Sequence, residues 1–504
     1  MSDYPLLHDP GWLDVMMRHY ELDASGFALR FAGRRDWPVR EIAEQRHCYP
    51  RAEAKLGALH RPGMIYLREA LEQASGYATA TWRARNWVRP DSPSQQVSTF
   101  RIADLTGGLG IDTAAFARFG AQVDYCERSP RLAAIARHNH QLLELDQQIR
   151  WHTGDGLEWL ENRQASPPPG EAGNHGEDTQ SRGTGQSGEI TQHGEAVQSG
   201  EAARYSHATQ SGHQGQSPHV FDLVYIDPSR RPEGKRVLSL QESEPDVTRH
   251  TGMLRTAARR YMVKLSPMMD PVDAARSLED CVAVIAVSVD GELKELLADC
   301  ISATGQVEPA SRRPPAHMAV LLDASGNERF RLVSTEDSLQ ATHTEPWTPI
   351  AMAGPPGSLL FEPDPSLFKM RLIDEAARRF GLERIHPEIG YLTNGPLRAS
   401  GFEPAPPALS GKPSPALPPS PSTPGAFPGK MFRIRHVLPY KPRRLKKWLA
   451  ENGLGGVHIH QRGFPLTVDQ LYRKLGCRMG EEAHLFATAA HDSQHVIIVT
   501  DRIG

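Results

Sequence analysis

The sequence predicts an α/β fold in which a doubly wound sheet of seven strands follows a helical region and precedes small α+β domains. Three observations predict it. Between residues 97 and 340, short apolar runs alternate with amphipathic stretches, the rhythm of strand–helix units. The run 102–104 passes into Gly107, Gly108 and Gly110 and then into the amphipathic stretch 113–119, which reads as a strand, a tight loop and a helix start. Carboxylates then stand at successive strand ends, Asp104, Glu127, Asp155 and Asp227, and that ordered series is more specific than any one member.

Taken in order, residues 1–96 read as mainly helical, with helices at 12–19, 39–45 and a longer one near 65–85. Strands are expected at 100–105, 122–126, 149–153, 221–227, 261–265, 282–289 and 317–322, with 292–300 as the last crossover helix. Residues 164–219 are built mainly from Gln, Ser, Gly, His, Glu and Thr with almost no large apolar side chain, and Gln-Ser-Gly recurs at 186–188, 198–200 and 210–212. Such a segment cannot bury enough surface to offset its ordering entropy, so a disordered insertion is expected. Residues 400–428 are Pro-rich and read as an extended spacer. The expected domains are therefore 1–96, 97–340, 358–436 and 437–504, the last two as small α+β units.

At 504 residues the chain is too long for one core. A net charge of −3 means that affinity for nucleic acid has to come from a local patch. The five cysteines stand singly with no Cys-x-x-Cys pair, which argues against structural zinc and a disulfide framework and for a reducing compartment. The first residues carry no basic, apolar leader, and the longest apolar stretch, 281–289, is too short to span a bilayer. A soluble, cytoplasmic protein with no metal requirement is expected.

The glycine loop lets backbone approach a ligand closely, because a Cβ there would collide. Its spacing is not the dinucleotide Gly-x-Gly-x-x-Gly. Glu127 follows about 20 residues on, where a carboxylate can accept both ribose hydroxyls. Taken singly, Asp104 and Asp112 also read as caps, and Glu127 and Asp155 as strand-end turn residues.

The series resembles class I S-adenosylmethionine-dependent methyltransferases, which implies a Rossmann-like methyltransferase sheet. The resemblance implies that the 104–110 loop faces the methionine part of S-adenosyl-L-methionine, that Glu127 holds the ribose and that Asp155 meets the adenine amino group. The cofactor-binding set is then Asp104, Thr106, Gly107, Gly108, Gly110, Asp112, Glu127 and Asp155, joined by Gln73 from the upstream segment 71–80. There Glu72, Ser75 and Thr79 fall on one helical face, either lining the methionine end or solvated. The donor is a sulfonium with no phosphate, so acidic surroundings suit it, whereas a diphosphate calls for bare helix N–H groups.

The fourth strand ends at Asp227-Pro228-Ser229-Arg230-Arg231. Ligand crevices in such sheets lie at the carboxyl ends of the strands, so this turn faces the transferred methyl group. In amino-methylating nucleic-acid enzymes the equivalent turn is Asp/Asn-Pro-Pro-aromatic; here Ser229 and Arg230 replace the second proline and the ring. Asp227, Pro228 and Arg230 are the candidate catalytic residues. Arg230 either stacks on a base, clamps a phosphate, or pairs, like Arg231, with acids such as Glu244 or Asp246. Lys264 and Ser266 close the fifth strand, as substrate contacts or simply as its end. No cysteine stands there, which leaves direct in-line transfer.

Taken together, 71–80, 104–112, 227–231, 264–270, 291–297, 361–364, 427–430 and 462–466 resemble an uncharacterised bacterial methyltransferase family with a helical N-terminus, a ferredoxin-like segment and a C-terminal THUMP-like domain. Between Lys430 and Lys447, Arg433, Arg435, Lys441, Arg443, Arg444 and Lys446 occur without one acid, interleaved with Phe432 and Tyr440 and followed by Trp448. That mixture suits phosphates and unstacked bases, or is a solvated basic face. With the THUMP-like resemblance, Arg231, Lys264, Ser266, Arg433, Arg435, Arg443 and Arg444 become candidate substrate-binding residues and RNA, either tRNA or rRNA, the expected partner. Two other classes remain open at this point: a nicotinamide-dependent oxidoreductase, which the loop spacing disfavours, and a catalytically inactive RNA-binding protein on the same fold.

Overall fold

The computed structural model describes residues 4–88, 100–165, 219–229, 239–302, 314–334, 357–395, 427–490 and 493–503. Nearly all of the expected insertion and spacer, and also Arg230 and Arg231, lie outside the described residues.

The large sheet contains β1 (Arg101–Asp104), β2 (Gln122–Glu127), β3 (Ile149–Thr153), β4 (Phe221–Ile226), β5 (Ala258–Leu265), β6 (Cys281–Val289), β7 (Glu292–Ile301), β8 (Ala316–Leu322) and β9 (Glu328–Val333). Their order is β3-β2-β1-β4-β5-β7-β6-β8-β9. Strands β1 to β5 run parallel, and β7 lies antiparallel to both neighbours. Two expectations are corrected here. The sheet has nine described strands, because β7 inserts between β5 and β6 and β9 is added at the edge beside β8. Segment 292–300 is a strand, not a crossover helix. A short continuous apolar run is ambiguous between helix and strand, and the tight turn at Asp290 and Gly291, both with positive φ, folds β7 straight back on β6 as a hairpin.

The helical region covers one face of this sheet. Trp82, Ile65 and Tyr66 share a core with Ile102, Tyr125 and Tyr225 of the strands. The long helix expected near 65–85 is two, Arg68–Gln73 and Tyr77–Trp87. Extended backbone at Ala74 and Gly76 breaks it. Glu72 therefore sits at the surface with Arg68 while Ser75 and Thr79 are buried, so the three do not share a face.

The second sheet has the order β11-β12-β10-β13-β16-β15-β14. Its strands are β10 (Leu359–Pro363), β11 (Glu383–His386), β12 (Ile389–Thr393), β13 (Gly429–Pro439), β14 (Gly456–Gln461), β15 (Arg478–Ala489) and β16 (His495–Arg502). The boundary expected at 436/437 falls inside β13, so the two small units share one sheet. Helices Pro442–Glu451 and Val468–Leu475 cover one face through Leu445, Trp448, Leu471 and Leu475. Helices Pro365–Lys369 and Ile373–Phe380 tie this part to the large sheet, sharing a core with Val284, Ala286 and Leu296. Among the described residues no helix is long and apolar enough to cross a membrane.

Candidate active site

The loop after β1 is fixed from below. Asp104 accepts from the Thr106 amide (3.2 Å) and from Thr113 Oγ1 (2.6 Å). The Asp227 amide donates to Thr106 Oγ1 (2.6 Å), which ties this loop to the turn after β4. Glu127 accepts from the Gly108 amide (3.0 Å) and the Ser129 amide (2.8 Å), joining the loop to the end of β2. The glycines serve the chain's own packing. A Cβ on Gly107 would lie 2.0 Å from the Tyr125 ring, and one on Gly110, at φ 75°, would lie 2.3 Å from the His140 ring. Gly108, at φ 57°, has only a backbone oxygen near, at 3.8 Å.

Beneath the loop lies a buried ionic network. Arg83 is 0% exposed and pairs with both Asp112 and Glu295. Its guanidinium also donates to Ser75 Oγ (2.8 Å), and Ser75 donates to Asp112 (2.8 Å). Tyr225 donates to Asp112 as well, at 3.2 Å. Burial pushes Asp112 up, but Arg83 and Lys264 outweigh it and hold the carboxyl below the usual range. Asp104 has no such cation among the described residues. Burial, reinforced by Asp112 and Asp227, pushes it up to about 7 despite the Thr113 and Thr106 hydrogen bonds.

The turn after β4 carries the reactive-looking pair. Lys264 Nζ donates to Asp227 Oδ2 (2.7 Å) and to Ser75 Oγ (3.0 Å). Burial would lower the Lys264 pKa, but Asp227, Asp112 and Glu295 outweigh it and raise it, so Lys264 is an ammonium. Ser229 forms a two-way backbone bridge with Glu244. Arg128 joins that bridge to the carboxylate after β3: its Nη1 donates to Glu244 (2.6 Å) and its Nε to Asp155 (2.9 Å). Asp155 also caps the helix Gly156–Ala165 through the Leu157 and Glu158 amides. Glu244 and Asp246 are thus engaged by Arg128 and Arg249.

These pieces surround one cavity of about 1270 Å³ at the carboxyl ends of the parallel strands. Asp104, Thr106, Gly107, Gly108, Asp112, Glu127, Asp155 and Gln73 all border it, as do Asp227, Pro228, Lys264 and Ser266. Gly110 does not border it, and Ser266 Oγ accepts from the Met268 amide at 3.3 Å. Arg83 and Arg128 were not legible as site residues. The signal for Arg83 is a lone charge in the run 78–84, every residue of which is buried.

Arg433, Arg435, Arg443 and Arg444 lie on the second sheet and its helix, away from the cavity wall, and all four are exposed. Arg435 pairs with Asp501. Of the aromatics in this stretch, Phe432 and Trp448 are core residues, while Tyr440 is half-buried with its ring edge-on to Phe464 at 4.8 Å. The helix Pro442–Glu451 turns Leu445, Trp448 and Leu449 inward, which leaves Arg443, Arg444, Lys446 and Lys447 outside. Among the described residues no group of three His, Cys, Asp or Glu side chains is arranged to hold a metal.

Residues 429–502 match the family described as THUMP domain-like; they comprise β13 to β16 and the two helices between them. A solved structure of a protein from Porphyromonas gingivalis W83, described as a candidate methyltransferase, matches with a TM-score of 0.68 and 22% identity over 100% of both chains. The two chains share one fold. An uncharacterized S-adenosylmethionine-dependent methyltransferase of Mycobacterium tuberculosis is 27% identical over 259 residues, 51% of this chain and 57% of its own length. The ribosomal RNA small subunit methyltransferase J of Alkalilimnicola ehrlichii is 28% identical over 166 residues, 31% of this chain and 52% of its own. The chain spans about half the length of these curated relatives.

Proposed function

We propose that this chain is a cytoplasmic methyltransferase that uses S-adenosyl-L-methionine to methylate RNA. The observation that carries the reading is the cavity itself, walled at the ends of β1, β2 and β4 by the glycine loop, Glu127, Asp227 and, after β3, Asp155. Its donor set fits the cofactor: carboxylates surround a ligand that is cationic and has no phosphate, and Asp112 in the first turn of helix Ile111–Arg118 opposes a diphosphate. This counts against a nicotinamide coenzyme.

In this reading Glu127 accepts the ribose hydroxyls with the lone pairs its two backbone bonds leave free. Asp155 meets the adenine amino group beside Arg128. The 104–110 loop, with Asp104, Thr106, Gly107, Gly108 and Gly110, shapes the methionine end together with Asp112 and Gln73. When bound, the cofactor supplies an electrophilic methyl group. Asp227 and Pro228 orient the accepting atom, with Arg230, Arg231, Lys264 and Ser266 as substrate contacts. Support for RNA comes from the exposed cations of the THUMP-like segment, Arg433, Arg443 and Arg444, which have no ion pair among the described residues, with Arg435 beside them, and from the name of the Alkalilimnicola relative. The reading needs no metal. Nucleoside mass spectrometry of RNA from cells with and without the protein tests it: one methylated nucleoside is expected to disappear with the protein, and identical profiles would overturn the RNA assignment.

A further inference from the structure

We propose that Ser75 is a positioning residue for methyl transfer: its hydroxyl holds the Lys264 ammonium in place, and Lys264 in turn sets which oxygen of Asp227 faces the substrate. This rests on the RNA methyltransferase reading above, with Asp227 at the reacting centre.

The break between the helices Arg68–Gln73 and Tyr77–Trp87 places Ser75 at the site. Ala74 and Gly76 are extended, with ψ of 154° and 160°, and Ser75 between them stands in the cavity wall, 5% exposed. A hydroxyl has one proton to give and two lone pairs to offer. Ser75 uses all three. Its Oγ donates to Asp112 (2.8 Å) and accepts from Arg83 Nη2 (2.8 Å) and Lys264 Nζ (3.0 Å). Arg83 and Asp112 are themselves buried, so the hydroxyl cannot turn without leaving a charged partner short of a hydrogen bond.

Electrostatics alone does not fix Lys264. Three carboxylates, Asp227, Asp112 and Glu295, attract its ammonium. Coulomb attraction depends on distance and not on bond angle, so an ammonium among three anions has three places to go. Hydrogen bonds decide among them. Arg83 engages Asp112 and Glu295 together. Asp227 is then the carboxylate that Lys264 Nζ meets, at 2.7 Å. Ser75 supplies the second fixed point, and two directed bonds define where the ammonium stands.

Asp227 is thereby held at both ends. Its amide donates to Thr106 Oγ1 (2.6 Å), and its Oδ2 accepts from Lys264. Oδ1 takes no hydrogen bond among the described residues and is the oxygen left for the acceptor. An N–H and an O–H can both donate to it, so the role of Ser75 is the same for either acceptor. Transfer needs the accepting atom in line with the bond that breaks, and a misplacement of about 1 Å can cost about 100-fold in rate. Through Arg83, Ser75 and Lys264 the helical region reaches the turn after β4 and takes part in the chemistry.

A double-mutant cycle on the full chain tests this, with S-adenosylmethionine carrying a labelled methyl group and total RNA from cells that lack the protein. Ser75→Ala should lower turnover by about 10-fold or more and Lys264→Met by about 100-fold, while calorimetry shows cofactor affinity changed by no more than about threefold in either. Adding Ser75→Ala to Lys264→Met should then change turnover by less than about twofold, because the contact through which Ser75 acts is already gone. Ser75→Thr keeps the hydroxyl and should recover most of the rate. Ser75→Cys, close to serine in volume but a weak acceptor, repeats the cycle without leaving a void. Normal turnover in Ser75→Ala, losses that multiply in the double variant, or a loss carried by cofactor affinity overturns the proposal and leaves the RNA methyltransferase reading standing. No label in any RNA with the unmodified chain overturns that reading, and the role of Ser75 falls with it.

Discussion

Arg83 and Arg443 carry the same guanidinium, and the molecule uses them in opposite ways. Arg83 sits on a helix pressed against the large sheet, wholly out of water, between Asp112 and Glu295. Arg443 stands on the outer face of helix Pro442–Glu451, exposed and with no ion pair among the described residues. A buried charge loses its hydration, so it persists only where partners are placed at hydrogen-bond distance, and it fixes those partners in return. An exposed charge keeps its water and acts over roughly the Debye length, about 8–10 Å, where its neighbours' geometry hardly matters. The cavity region thus stores position, and the second sheet offers field.

The largest expected effect follows directly. Arg83→Met leaves Asp112 and Glu295 buried without their cation, and loss of one member of a buried pair costs about 3–5 kcal/mol. Arg443→Met should stay within about 0.5 kcal/mol. Chemical denaturation followed by tryptophan fluorescence measures both. Equal midpoint shifts in the two variants would erase the distinction.

The next effect tests whether the fixed geometry serves the cofactor. Glu127→Ala removes a carboxylate that spans the β1 loop and the end of β2, and loss of charged hydrogen bonds should weaken S-adenosylmethionine by about 2 kcal/mol in calorimetry. Unchanged affinity would mean that Glu127 only braces the loop.

The same contrast explains what the sequence disclosed. The glycine loop and the carboxylates at 104, 127, 155 and 227 were legible because local turn chemistry and strand ends leave a short-range trace. The basic stretch of the second sheet is legible as composition, but composition leaves the side of its aromatics open, and only the helical period puts Trp448 beside Leu445 in the core. Strand β7 was read as a helix, and that error hid Glu295, whose partner Arg83 is more than 200 residues away. Arg128 was hidden likewise, because Asp155 and Glu244 meet it only after three strand ends converge. Long-range ion pairs leave no periodicity to read.

The exposed cations have their own test. If Arg443 and Arg444 meet phosphates of single-stranded RNA, each contact contributes about 0.7 to the slope of log K against log salt. Reversing both to Glu should shrink that slope by at least about 1.4 in RNA titrations while cofactor affinity is untouched. A slope equal to that of the unmodified chain would leave the helix as a solvated face.

The smallest effect probes the buried side without removing any side chain. Among the described residues Asp104 has no cationic partner, and burial brings its carboxyl up to about 7, far above an unfolded aspartate. The folded chain without cofactor therefore binds more protons than the unfolded chain between pH of about 4 and 7. Its stability falls as pH rises through that window, and the cost is fully present above it. A sulfonium or ammonium ligand placed in the cavity acts in the opposite sense, because it favours the ionised carboxyl and lowers its pKa. Cofactor binding should then release up to one proton near neutral pH. Affinity should strengthen as pH rises toward about 7, by at most about 1.4 kcal/mol per pH unit, and level off beyond it. Titration calorimetry in two buffers of different ionisation enthalpy measures the proton release directly, and Asp104→Asn should abolish it. Equal heats in both buffers near pH of about 6.5 would show that the ligand's positive charge lies out of reach of Asp104, and that the loop end of the cavity does not hold the methionine part.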